Sequence, residues 1–326
     1  MAFLKMSIKG LISSKRLRTS SLLLFLTVSS CNRVGTEQLE PQICYTARDT
    51  YLKRLPDPFT PLTSTEKKSE WGKEYQIGLA FARELDLYRA ITAFKRAEIL
   101  LSHQGTFRKK EVQYNIMLSY YLGKRYEEAL ETFNTSELRH VQPNFAPYHD
   151  LLIMLYESNK LIGNQESAEL ILDHIRSHYP ETADKLTLST AMIQADFETL
   201  TCYTDKPYVA EVLSCYTPQA KSIERAELFN ALLPGAGYAY VGQRQSAVTA
   251  FLLNGLFIGA AVYFFLDGNV PAGIIATSFE AGWYFGGIYG AGEAAKHYNE
   301  RKYEGCAYPV MTKHRLFPIL TLNYGF

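Results

Sequence analysis

Two apolar runs dominate the second half of the chain. Ala247–Leu266 carries only Thr249 and Asn254 as polar side chains, and after Asp267-Gly268-Asn269 a second run, Val270–Tyr289, carries a single charge, Glu280. Each reaches the roughly 20 residues that cover a hydrocarbon core of about 30 Å at about 1.5 Å per helical residue. The pattern predicts two membrane-spanning helices, about 247–266 and 270–289, inside a block that runs from 233 to 303 and is followed by a tail, 304–326. A shorter apolar segment, Ser21–Val28, follows the basic residues Lys5, Lys9, Lys15, Arg16 and Arg18; it is too short to span and has the layout of a secretory signal. Between Asn32 and Glu70 the chain is rich in Pro, Thr, Ser and charge, as in Leu55-Pro56-Asp57-Pro58, which predicts an extended tether over 31–70. Alanines then recur at a constant step of 39 residues, Ala90, Ala129 and Ala168, the mark of paired-helix repeats over 71–205. A linker and an amphipathic helix over 206–232 complete the division, and the expected fold class is all-α.

Resemblances sharpen three of these segments. Val28-Ser29-Ser30-Cys31 resembles the bacterial lipoprotein signal, which implies cleavage after residue 30 and a diacylglycerol on the Cys31 thiol. The repeat resembles the tetratricopeptide (TPR) motif from Trp71 to about Pro180. Gly78, Phe81, Ala90, Phe94 and Ala97 fall at its small and large packing positions, followed by Tyr120, Ala129 and Phe133 and then by Tyr156, Ala168, Leu172 and Pro180. Alanine at the crossing of paired helices lets the backbones approach, and the bulky residue four positions on fills the gap to the next repeat. Leu233-Pro234-Gly235-Ala236-Gly237-Tyr238-Ala239-Tyr240-Val241-Gly242 is similar to a Pro-Gly-x-Gly element that precedes helical hairpins in bacterial membrane proteins, with Tyr238 in place of the usual Gln. Together they make the chain similar to bacterial TPR lipoproteins with a C-terminal membrane hairpin. That resemblance implies an architecture and no activity.

Within the apolar runs, Gly255 with Gly259 and Gly282 with Gly286 form GxxxG pairs, which predict close helix packing inside the hairpin or self-association. Glu280 is expected to be neutral, with Asn254 of the antiparallel partner as its hydrogen-bond donor. Lipidation places the repeats outside the cytoplasm, facing the periplasm from the cell membrane or, alternatively, the outer membrane. Arg244, Lys296, Arg301 and Lys302 flank the hairpin and favour the opposite orientation.

Charge and chemistry narrow the function. The chain has 34 basic and 33 acidic side chains, and removing residues 1–30 takes five basic and no acidic ones, so the mature balance is near −4 and nucleic acid is not an expected partner. Of the five cysteines, Cys202 and Cys215 bracket a short loop and are the expected disulfide. Asp173, His174 and His178 share one helix edge and are the only candidate metal-dependent catalytic edge. No phosphate-cradling glycine loop, nucleophile elbow or metalloprotease motif appears, so no catalytic, cofactor or metal site is expected. The run Leu320–Phe326 is similar to the last strand of outer-membrane barrels, which keeps a component of a secretion or barrel-assembly machinery as the alternative. The leading expectation is a non-enzymatic scaffold or assembly factor. Its TPR-like surface, around Tyr114, Asn115, Ser119 and Lys124, holds a protein partner, with homo-oligomerisation through the hairpin open.

Overall fold

The computed structural model describes residues 39–45, 51–101 and 106–326, so the 1–30 signal and Cys31 lie outside the described residues. Among the described residues every regular element is helical, and the expected all-α class holds. The chain forms two compact units, residues 40–216 with 303–326, and residues 217–302.

In the first unit a short helix α1 (Ser64–Lys68) leads into helix pairs α2 (Glu70–Arg83) with α3 (Leu87–Leu100), α4 (Thr106–Leu122) with α5 (Tyr126–Thr135), and α6 (Tyr148–Leu161) with α7 (Gln165–His178). A fourth pair, α8 (Pro180–Ile193) with α9 (Phe197–Cys202), is followed by α10 (Pro207–Tyr216). The capping is written in the sequence. Thr63 accepts from the Glu66 N–H while Glu66 accepts from the Thr63 N–H, a reciprocal box that starts α1, and Ser69 and Asp86 cap α2 and α3.

One corner joins the helices of all four pairs. At Leu85, Lys124, Gly163 and Ala195 the backbone turns left-handed (φ 61°, 58°, 89° and 51°). The next residue's N–H closes on a carbonyl five residues back: Asp86 to Phe81, Arg125 to Tyr120, Asn164 to Asn159 and Asp196 to Ala191, at 2.8–2.9 Å. This satisfies carbonyls that each first helix would otherwise leave bare. The first three corners keep the 39-residue step of Ala90, Ala129 and Ala168, and all three alanines are buried. Gly78 shows why the packing positions alternate in size, since a Cβ there would lie 2.5 Å from the Phe94 ring. Ala97, Tyr120 and Leu172 are buried too, and Phe81 and Phe133 are half-buried against the same core. Pro180 is exposed and serves as the first residue of α8.

Within the expected tether the described residues 51–63 are not free, and neither is the tail. Phe59 is buried among Tyr114, Phe107 and Phe145, and Arg108 donates to the Thr60 and Pro61 carbonyls, so residues 51–63 lie packed on the helices. The predicted boundary at 205 also moves, because α10 buries Val209, Val212 and Tyr216 in this unit. Residues 318–321 form a single 3₁₀ turn with extended chain after it, so Leu320–Phe326 is not a strand.

Arg108 also bonds both Glu66, at 2.9 Å, and the buried Glu111. Its hydrogen bond, with the Thr63 N–H, draws the Glu66 carboxyl down to about 2. A carboxylate lowered on folding adds stability above its unfolded range near 4.5, and that stability is lost as pH falls through about 2. Glu66→Gln is therefore expected to flatten the acid limb of stability over that window, followed through emission of the buried Trp71. An acid limb unchanged by the substitution would remove the pair from the account.

The second unit holds α11 (Ile223–Leu232), α12 (Ala236–Tyr240), α13 (Arg244–Leu266) and the part of α14 (Val270–Lys313) up to residue 302. Phe257 stacks on Phe279 at 6.2 Å, and the Phe265 ring meets Gly273, so α13 and the start of α14 run side by side in opposite directions.

Candidate functional site

The first helices of the pairs carry the site. In α4, residues Glu111–Tyr121 are buried without interruption, so the helix has no wet face over that stretch. Tyr114, Asn115 and Ser119, expected on a docking surface, are interior: Asn115 Nδ2 donates to Tyr75 Oη at 2.9 Å, and Ser119 Oγ donates to the Asn115 carbonyl at 2.7 Å. Only Lys124, at the corner, is exposed. The reason for the correction is that two stretches of the same chain, 51–63 and 316–326, cover the helices that a partner was expected to cover.

The path of the second stretch is specific. Leu316, Phe317, Leu320 and Leu322 are buried, and the 318–321 turn packs on α8 and α6. Asp150, at the start of α6 and fully buried, then accepts the backbone N–H groups of Asn323 and Tyr324 through Oδ2, each at 2.8 Å. Its Oδ1 meets His149 Nδ1 at 2.9 Å, and His149 Nε2 meets Thr182 Oγ1 of α8 at 2.9 Å. Gly325 N–H donates to the Pro56 carbonyl at 3.1 Å; a Cβ at 325 would come within 3.0 Å of the Leu52 oxygen. Phe326 stacks on Phe94 at 6.4 Å, and Arg83 Nε donates to its carbonyl oxygen at 3.2 Å. Tyr51 Oη donates to the Leu320 and Leu322 carbonyls, at 2.9 and 3.0 Å. Past the turn on α8, residues 322–326 thus cross α6 and the end of α2 as an extended ligand would. Asp150 was the missed residue. Its signal was a lone carboxylate entering the apolar run Leu151–Tyr156.

Further along the same helices Tyr121 donates to Glu157, whose carboxyl burial pushes up against the pull of that hydroxyl and of Lys160. Lys160 is pushed down by burial, bonds Thr190 of α8 and lies over the Tyr156 ring.

In the second unit the Pro-Gly element is a junction of helices. Asn230 Oδ1 accepts the Gly235 N–H at 2.8 Å, and Gly235 has φ 92°, a backbone that favours glycine. A Cβ on Gly237 would overlap the Ala226 carbonyl and lie 2.7 Å from Ala291 Cβ, so this glycine lets α12 sit between α11 and α14. The Tyr238 hydroxyl sits against Gly290, Tyr284 Oη donates to the Ala231 carbonyl at 2.6 Å, and Asn299 bonds both the N–H and the carbonyl of Lys221. Close approach is therefore made by Gly237, Gly273, Gly287, Gly290 and Gly292, not by the GxxxG pairs. A Cβ on Gly255, Gly259, Gly282 or Gly286 would meet only open space.

The expected Asn254–Glu280 hydrogen bond is not made either. Asn254 Nδ2 turns back to the Ala250 carbonyl at 2.6 Å, the local bond an amide makes when a backbone acceptor lies one turn away, while Asn254 Oδ1 and Glu280 Oε2 have no partner among the described residues. One helix among those described, α13, is long and apolar enough to cross a membrane, and 11 % of its most apolar window is buried. The second predicted span is the start of the 44-residue α14, which falls short of the same composition.

The disulfide differs from the expected pair. Cys215 joins Cys306, with Cα atoms 5.9 Å apart, whereas Cys202 is exposed and free at the end of α9, its thiol donating to the Glu198 carbonyl. Nearness in sequence favoured Cys202, but the α9–α10 turn carries its side chain into solvent. On α7, His174 Nε2 meets Tyr148 Oη at 3.0 Å, His178 Nδ1 meets the His174 carbonyl at 3.0 Å, and Asp173 pairs with Arg176. Among the described residues no three His, Cys, Asp or Glu side chains converge as metal ligands.

No protein-family model matches this chain, and neither the curated proteins nor the solved structures contain a match to it.

Proposed function

We propose that this protein is a non-enzymatic, membrane-held adaptor: α13 and the start of α14 embed in the bilayer as a hairpin, Cys31 adds a lipid anchor, and the TPR-like helix pairs hold a protein partner on the periplasmic side. The observation that carries the membrane part is the outer surface of the two helices. Leu252, Leu256, Ile258 and Leu266 on α13, and Ile274, Ile275 and Phe279 on α14, are all exposed. In water each such side chain would forgo about 1.5–3 kcal/mol of burial, whereas hydrocarbon removes the deficit. Exposed apolar area this continuous is typical of a membrane or partner surface, and the length of α13 supports the membrane reading. The partner-binding part is supported by the groove across the first helices, which holds an extended segment through backbone bonds to one buried carboxylate.

The test is alkaline carbonate extraction of membranes carrying the unmodified chain and Cys31→Ser. Palmitate labelling is expected to vanish in the variant while both proteins stay in the membrane pellet. Release of Cys31→Ser to the supernatant would mean that the helices are not embedded.

A further inference from the structure

We infer that the path taken by Leu322–Phe326 is the protein's partner-binding groove, and that its ligand is an extended segment of another protein with the same chemistry. That ligand presents two consecutive backbone N–H groups to Asp150, glycine where it crosses Pro56, and an aromatic ring to Phe94. The inference rests on the adaptor reading and names its ligand.

The chemistry of each contact sets the specificity. Asp150 is fully buried, and a buried carboxylate is tolerated only with donors around it. His149 supplies one, and the two at Oδ2 come from backbone N–H groups, which any residue but proline provides. That part of the groove reads chiefly an extended backbone, with one side-chain contact beside it, Asn323 Nδ2 at 3.0 Å from His149 Nδ1. Selection falls at two positions. Leu52 and Leu55 crowd a Cβ opposite Pro56, at 3.0 and 3.1 Å, and Phe94 with Arg83 offers a ring face and a donor to the residue that follows. Asn323 is exposed and Tyr324 and Phe326 half-exposed, so the end of the segment lies at the surface, while Leu316, Phe317 and Leu320 anchor the chain upstream. The groove can open from residue 322 onward without undoing that anchor.

The tethered segment acts as a competitor. A short intramolecular link gives an effective concentration in the millimolar range, so a ligand of about 10 μM intrinsic affinity making the same contacts binds on the order of 100-fold more weakly while the segment is in place.

The experiment uses the full chain in detergent and a fluorescent, amidated peptide of residues 322–326, read by anisotropy. Gly325→Val with Phe326→Ala disfavours the tethered segment without touching the groove, and the peptide is expected to bind this protein 10- to 100-fold more tightly than the unmodified chain. Adding Asp150→Ala is expected to remove that gain. A folded tail variant that binds the peptide no better than the unmodified chain overturns the inference. A second measurement covers a tail variant that does not fold: in the unmodified chain the Asn323 and Tyr324 amides are expected to exchange at least 100-fold faster than those of Met117 and Tyr156. Equal protection would make the segment a fixed part of the core, and the inference would fall. Carbonate extraction does not depend on this segment, so failure here leaves the membrane part of the adaptor reading standing.

Discussion

Cys306→Ser lowers the stability of the helical unit by about 2–5 kcal/mol, whereas Cys202→Ser changes it by less than about 0.5. The bond between Cys215 and Cys306 closes a loop of 91 residues. In the chain-entropy account a cross-link of that length removes about 4.6 kcal/mol of freedom from the unfolded chain. The groups it joins lie in a well-packed place: Tyr303, just before Cys306, is buried against Phe197 and Tyr216 and donates to the Met192 carbonyl at 2.8 Å. The measurement is urea unfolding followed by Trp71 emission in a Trp283→Phe background, with and without reductant. Reductant should bring the parent chain down to the level of Cys306→Ser and leave the variant unmoved. If Cys202→Ser proved the costly change, the pairing described above would be wrong.

Gly237→Val is expected to cost about 3 kcal/mol or to abolish recovery of folded protein, while Gly255→Val and Gly286→Val stay within about 0.5 kcal/mol. Overpacking a filled site costs about 1–3 kcal/mol when side chains can shift, and at Gly237 the obstacle includes the Ala226 backbone carbonyl, which cannot rotate away. Gly255 and Gly286 face open space. Recovery after detergent extraction and the thermal midpoint of the purified variants decide the matter. The reverse order of damage would place the packing face of the hairpin on the GxxxG side.

Much of the fold is legible in the residues. The 39-residue step of Ala90, Ala129 and Ala168 located three helix pairs, because a small residue is needed wherever two helices cross closely. The corners were hidden. Three of the four left-handed positions are Leu85, Lys124 and Ala195, residues that do not advertise a turn, and only Gly163 does. Spacing also says which residues share a helix face but not which face meets a neighbour. The GxxxG spacing therefore predicts a contact that the hairpin makes elsewhere, and the pattern around Tyr114, Asn115 and Ser119 predicts a surface where the chain packs an interior. The groove needed information that no local pattern holds, since Asp150 finds its two backbone donors more than 170 residues away.

The discontinuity of the helical unit has a consequence for how the protein is made. Residues 40–216 leave a ribosome before the apolar helices do, and residues 303–326 only after them. The early portion therefore waits with Asp150 without its two backbone donors, Cys215 unbridged and the faces of α6 and α8 uncovered. Its last contacts have high sequence separation, the kind that form late. Biogenesis then has a fixed order, in which the apolar segment must be accommodated before the unit can close, and an incompletely synthesised chain exposes a sticky surface to chaperones and proteases.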